Sequence, residues 1–270
     1  MNKSELFREL FTRYGAVKRA RGPFLYTKKG VRVTDLYQEA GRAILGWEGA
    51  SAFTMFKNVL SRGQTGSFIC EEAPVSHLQK AVSELLAGDR IVFCFSSHKD
   101  AFEAGLALFP NETSLYRPWN AQNEKINITE QAALILTPPL PWAQSLYILA
   151  LDAKKIQENP DKLLFIRNAI KLPFALEVAI TRSIYNLIKA LQERQEKDWF
   201  IYDPVLTKYW RREGPYLFPK ISQDAYDKFA LHCLDCGIII SPDYNQPSIV
   251  PFGADRGVFT KLKNSPFTWE

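Results

Sequence analysis

Three short apolar runs constrain most strongly what this chain can fold into. They are Arg90-Ile-Val-Phe-Cys-Phe95, Ala132-Ala-Leu-Ile-Leu136 and Ser145-Leu-Tyr-Ile-Leu-Ala-Leu151. None shows the in-out alternation of a strand with one wet face, so each reads as a strand covered on both sides. Helical spacing of apolar residues falls around them, over 52–60, 75–87 and 100–108, and over a long stretch at 173–197. Buried strands interleaved with helices predict an α/β layered fold. With 270 residues and 46% hydrophobic side chains, the chain has material for a real core, as one large domain or two modest ones.

The two ends read differently. Leu6, Phe7, Leu10, Phe11 and Tyr14 stand at helical spacing, and Phe24-Leu-Tyr26 and Val31-Arg-Val33 flank a hairpin connection ending in Gly30. After the long helix come a helix at 222–236, a strand at Ile238-Ile-Ile240 and an irregular Pro/Gly-rich run through Asp255-Arg256-Gly257. The expected division is a small α+β domain from 1–50 and 198–270, and a large α/β domain from 51–197. No stretch approaches the ~20 apolar residues of a membrane span. The first residues form an amphipathic pattern without an apolar secretory core, so the cytoplasm is the expected compartment.

The net charge of +5 is modest. Lys18-Arg19 with Arg21, Lys28-Lys29 and Arg211-Arg212 are short clusters outside any nucleic-acid module, so nucleic acid is not expected as a partner. Cys70 and Cys94 lie in apolar segments. Cys233-Leu-Asp-Cys236 falls at the C-terminal end of a helix, the wrong end to stabilise a thiolate, and no second ligand pair stands at zinc spacing. No metal site is expected. His77 and His232 read as structural, and Glu71-Glu72 as a charge cluster before Pro74. Tyr209-Trp-Arg-Arg212 is a candidate interface anchor.

Ordered fragments carry a family resemblance. The segment from Arg21 to Leu36, with Gly30 and Asp35, and then Gly41 and Leu45-Gly46-Trp47, is similar to the opening hairpin of class III aminotransferases. Val75–Leu86, Asp89–Phe95 and Ser96-Ser-His-Lys-Asp-Ala-Phe-Glu-Ala-Gly105 look like that family's helix, strand and "N-S-G-S/T-E-A-x-E-A-A" helix start. Leu172-Pro-Phe-Ala-Leu-Glu-Val-Ala179 is similar to its "N-P-L-A-x-A-A". These enzymes have a fold-type I architecture and use pyridoxal phosphate. The resemblance implies a three-layer α/β sandwich with a shortened sheet, a small α+β domain from both chain ends, and a homodimer.

It also implies sites. The turn Ser96, Ser97, His98 and Lys99 takes the place of the family's phosphate cup, so these are the expected cofactor-binding residues, and pyridoxal phosphate or another small phosphate-bearing ligand is the expected occupant. Arg256 is the nearest candidate to hold a substrate carboxylate. Two departures argue against transamination. The chain is shortened between 109 and about 140, and it has no Lys between Lys125 and Lys154. If Pro141 matches the family's Gly-x-Pro, the Schiff-base position falls on Leu134. Without that amine, both the covalent anchor and the general base are lost, and no catalytic residue is assigned. The expected function is a non-catalytic ligand-binding or interaction module. The alternatives are a pyridoxal-phosphate aminotransferase using an unrecognised lysine, and a basic scaffold binding nucleic acid.

Overall fold

The computed structural model describes residues 1–66, 77–120, 128, 130–142 and 144–269. Cys70, Glu71-Glu72, Pro74 and the first residues of the helix expected at 75–87 lie outside these. In chain order the elements begin with α1 (Lys3–Tyr14), β1 (Val17–Arg21), β2 (Phe24–Thr27), β3 (Arg32–Asp35), α2 (Ala50–Ser61), α3 (His77–Leu85) and β4 (Arg90–Phe95). Next come α4 (His98–Leu108), β5 (Thr113–Leu115), β6 (Ala133–Leu136), β7 (Tyr147–Asp152), α5 (Ala153–Gln157) and α6 (Phe174–Glu193). The chain closes with α7 (Glu196–Phe200), α8 (Asp203–Leu206), β8 (Trp210–Glu213), β9 (Tyr216–Pro219), α9 (Gln223–Asp235), β10 (Ile238–Ile239), β11 (Ser248–Ile249) and α10 (Thr260–Asn264). Two compact units result, one from 1–48 and 194–270 and one from 49–193.

The central unit is a three-layer sandwich. Its sheet runs β4-β7-β6-β5, with β7 antiparallel to both neighbours and β5 parallel to β6. Side chains alternate across it, as the pleat requires. Cys94, Leu134, Leu136, Ile148 and Ala150 face one core with α3 and α6. Phe95, Ala133, Ile135, Leu149 and Leu151 face the other, with α4 and Ile156. Both faces are covered, which is why the three strands read as unbroken apolar runs.

Gly105 lets α4 come close to β5. A methyl group there would sit 2.8 Å from Thr113 Cγ2 and 3.4 Å from Leu149 Cδ1. Gly105→Ala is therefore expected to lower stability by about 1–3 kcal/mol, the usual range for overpacking a core, despite the better helix propensity of Ala. Urea unfolding monitored by circular dichroism measures this; a neutral or stabilised variant would show that the contact relaxes freely.

The unit built from the chain ends holds two sheets, β1-β2-β3-β10 and β11-β9-β8. The inner face of the first packs Leu25 and Val33 on Leu6 and Leu10 of α1 and on Leu234. Gly30, at φ 81°, closes the β2–β3 turn in the left-handed region. Tyr209-Trp-Arg-Arg212, a candidate interface anchor by its composition, does not present its aromatics to a partner. Tyr209 and Trp210 are buried among Phe229, Phe267 and Trp269, so they are core. Arg212 is held by Asp203 and Glu196 at 2.6 Å each. Among the described residues no helix is long and apolar enough to cross a membrane.

Candidate functional site at the sheet edge

The parallel strands β4, β5 and β6 all point their carboxyl ends to one edge of the central sheet, where β7 begins. Such edges are where open α/β sheets hold ligands, because the loops leaving the strands converge there. Ser96-Ser97-His98-Lys99 leave β4, Tyr116-Arg117 leave β5, Thr137 leaves β6, and Tyr147 opens β7.

The Ser96–Lys99 turn forms a capped helix start. Ser97 is extended, at φ −126° and ψ 135°, and its Oγ accepts from the Asp100 N–H at 3.4 Å. Asp100 stands in the first turn, where a carboxylate is favoured by the helix dipole. His98 is not directed at an anion. Its ring lies over Phe102 at 5.9 Å and edge-on to Tyr147 at 5.2 Å. Burial, helped by the Arg117 charge, holds its pKa below the usual histidine value. Lys99 is exposed and pairs with Glu103 at 3.7 Å, one helical turn on. Ser96 is exposed.

On the other face of the same edge is a cleft of about 680 Å³. Phe56, Trp142, Leu146 and Phe174 supply apolar walls, with Lys171 and Glu177 as the charged groups. Phe56 and Trp142 touch ring to ring at 5.9 Å. The segment entering α6 is fixed beside β4 by the Ile170 N–H donating to the Cys94 carbonyl at 2.8 Å. Apolar walls with few polar groups are the usual make-up of a small-molecule cleft. Leu134 lies in the middle of β6, 2% exposed, in the core shared with α3 and α6.

Arg256 belongs to the other unit. It is exposed in a short 3₁₀ helix whose Asp255 cap accepts from the Gly257 N–H. Arg256 and the Ser96–Lys99 turn thus belong to different units. Among the described residues no group of three His, Cys, Asp or Glu side chains is placed to hold a metal. Cys233 is buried, and its thiol is pushed up by burial.

One constellation escapes the sequence reading. Gln38, Glu39 and Ala40, none of them glycine, stand in succession at φ 47°, 50° and 60°. Each costs roughly 1–2 kcal/mol, so the surroundings must hold them. Asp35 Oδ1 accepts from the Tyr37 and Gln38 N–H groups and Oδ2 from the Trp47 indole, all at 2.9 Å. Gln38 Nε2 reaches the carbonyls of Ile249 and Val250, and Glu39 pairs with Lys3. The sequence signals here are the family matches at Asp35, Gly41 and Trp47, none of which announces the strained turn.

Burial outweighs these hydrogen bonds and lifts the Asp35 carboxyl from 3.8 to about 6. A carboxyl raised on folding stabilises the protein below its unfolded value and loses that effect as pH rises through its folded value. Between pH 4 and 6, Asp35 is thus expected to remove on the order of 3 kcal/mol as pH rises. Urea midpoints for the wild type minus those for Asp35→Asn should fall across this window. A flat or rising difference would mean that the three donors win over burial.

No family model matches this chain. An uncharacterised protein of Treponema pallidum (strain Nichols) is 28% identical over 289 residues, covering 90% of this chain and 91% of that protein. An uncharacterised protein of Borreliella burgdorferi is 25% identical over 260 residues, covering 93% and 90%. Among solved structures, glutamate-1-semialdehyde aminomutase from Pseudomonas aeruginosa PAO1 matches with a TM-score of 0.66 at 9% identity, covering 97% of this chain and 95% of that one. Acetylornithine aminotransferase from Elizabethkingia anophelis gives 0.61 at 13% identity, with 97% and 98% covered. At these identities the likeness establishes the fold: an α/β aminotransferase fold, as the motif resemblance implies.

Proposed function

We propose that this chain keeps the aminotransferase fold as a non-catalytic module that binds a small ligand at the carboxyl edge of its central sheet. The observation that carries the reading is Leu134. If Pro141 matches the family's Gly-x-Pro, the Schiff-base lysine is replaced by an aliphatic group sealed inside a sheet face. Pyridoxal phosphate would supply an electron sink for a carbanion, but only when an amine holds it and a proton carrier is at hand. The residues of the Ser96–Lys99 turn do not fit that demand. Lys99 is paired outward with Glu103, His98 is folded onto Phe102 and Tyr147, and Ser97 is occupied by Asp100.

Non-covalent binding asks less. The helix start at Ser96–Lys99, with the Lys99 amine, suits a phosphate, and the walls of the cleft suit an apolar body. Arg256, in the other unit, is proposed by itself as a contact for a carboxylate. A homodimer is proposed from the family resemblance; sedimentation should then give twice the 30.9 kDa chain mass, and a monomer at micromolar concentration would refute it.

A two-dimensional NMR titration tests the ligand site, first with inorganic phosphate and then with pyridoxal phosphate. Saturable, reversible shifts confined to residues 96–99, 117 and 170–177, without a visible aldimine band, are expected. A band, or shifts clustered away from the edge, would overturn the proposal. Lys171, an exposed residue that lines the cleft, favours one second reading: a Schiff base formed at an unrecognised lysine. In that case Lys171→Ala would abolish the band.

A further inference from the structure

The strand pairings gather the basic clusters near the start of the chain into one surface. Residues 17–34 carry six cations, Lys18, Arg19, Arg21, Lys28, Lys29 and Arg32, and no carboxylate. That exceeds the net +5 of the whole chain, so everything else sums to −1. The register builds two cross-strand rows, Arg19–Tyr26–Arg32 and Arg21–Phe24–Thr34. They lie on the opposite face from the packed row Ala20–Leu25–Val33.

On this outer face arginines and aromatics are stacked. The Arg19 guanidinium lies over the Tyr26 ring at 4.5 Å from its centroid, and Arg32 over Phe24 at 4.6 Å. Both arginines are exposed, and among the described residues neither has a carboxylate within ion-pair distance. Arg21 alone meets one, Glu48, at 3.4 Å with both side chains well exposed. The Lys18 bulge and the Lys28-Lys29 turn extend the charge along the edge.

Against the expectation from the clusters taken singly in the sequence, we propose that this outer face of β1-β2-β3 binds single-stranded nucleic acid. Guanidinium groups stacked on rings keep their in-plane N–H donors for phosphates, and their planes offer decks on which bases stack. The same-face neighbours Arg19 and Arg21 stand ~7 Å apart along the strand, a spacing suited to tracking a backbone. An anionic membrane is the weaker match. The exposed Phe7, Phe11 and Val17 that would insert into lipid flank the groove that opens against Ala20 and Leu25, on the inner face. The inference stands apart from the ligand site proposed at the central sheet.

Fluorescence anisotropy of the full chain with labelled oligouridine of about 16 nucleotides tests it. Binding should weaken steeply between about 50 and 200 mM salt, with a log–log slope of up to about −4 if all six cations meet phosphates. Arg19→Ala with Arg32→Ala should cut affinity at least about tenfold and reduce the slope by about 1.4. Arg19→Lys with Arg32→Lys should keep the slope and still lose about fivefold to tenfold through lost stacking. Arg211→Ala, on the other sheet, should change nothing. The proposal fails if the wild type shows no salt-dependent binding or if the double Ala variant binds equally. It fails too if duplex DNA binds as tightly, or if phosphatidylserine vesicles bind while the oligonucleotide does not.

Discussion

Leu134→Lys, which would restore the amine at the Schiff-base position if Pro141 matches the family's Gly-x-Pro, is expected to unfold the central unit rather than create a cofactor anchor. The Leu134 side chain fills a core shared by α3 and α6. Removing it from that core costs about 2–5 kcal/mol. An ammonium in its place must lose its proton or its solvation, adding several kcal/mol more. The sum rivals the 5–15 kcal/mol that stabilises a typical domain. Circular dichroism should show no cooperative melt for this variant. Leu134→Met, which conserves volume, should lose less than about 1.5 kcal/mol. A folded Leu134→Lys protein that turns yellow with pyridoxal phosphate would mean that the position opens onto a site.

Arg90→Ala is expected to cost about 3–5 kcal/mol. Arg90 is 1% exposed at the start of β4, and its two terminal nitrogens donate to the carbonyls of Gln131 at 2.6 Å and Ile128 at 2.9 Å. Burial pulls its pKa down, opposed by the charge of Asp152 across the strand pair. Truncation leaves both carbonyls without their donors and opens a cavity, two penalties that add. Those carbonyls belong to the segment feeding β6, so the guanidinium holds the strand in register beside β7. Arg90→Lys, with a compact donor instead of a fork, should recover part of the loss. Urea unfolding decides this, and a loss under about 1 kcal/mol would show that water replaces the clamp.

Much of this architecture is legible in the residues. The runs at 90–95, 132–136 and 145–151 announce strands covered on both faces, because burial on two sides removes alternation. They carry no sign of direction, and the antiparallel placement of β7 emerges only from the pairing. Val17-Lys-Arg-Ala-Arg21 hides as a strand, since an edge strand with a wet outer face carries polar residues. The left-handed turn at Gln38–Ala40 runs into Gly41, at φ 91°, but that one glycine does not announce three strained residues before it, and its hold comes from Asp35 and from distant carbonyls at 249 and 250. Tyr209 and Trp210 look like interface residues in a list of aromatics; only their partners Phe229 and Phe267 make them core. At the sheet edge, Ser97 and Asp100 spell a helix cap locally. The lodging of His98 depends on Phe102 one turn along and on Tyr147 from another strand, and the second contact has no local signature.

The central claim is that this fold is used without a Schiff base. Its most direct test is the intact mass of the protein after saturation with pyridoxal phosphate and reduction with borohydride, followed by peptide mapping. The account predicts an unmodified 30.9 kDa chain, apart from substoichiometric labelling scattered over exposed lysines. A stoichiometric adduct at a single lysine, Lys99 or Lys171 above all, would contradict it and name the residue that does the chemistry.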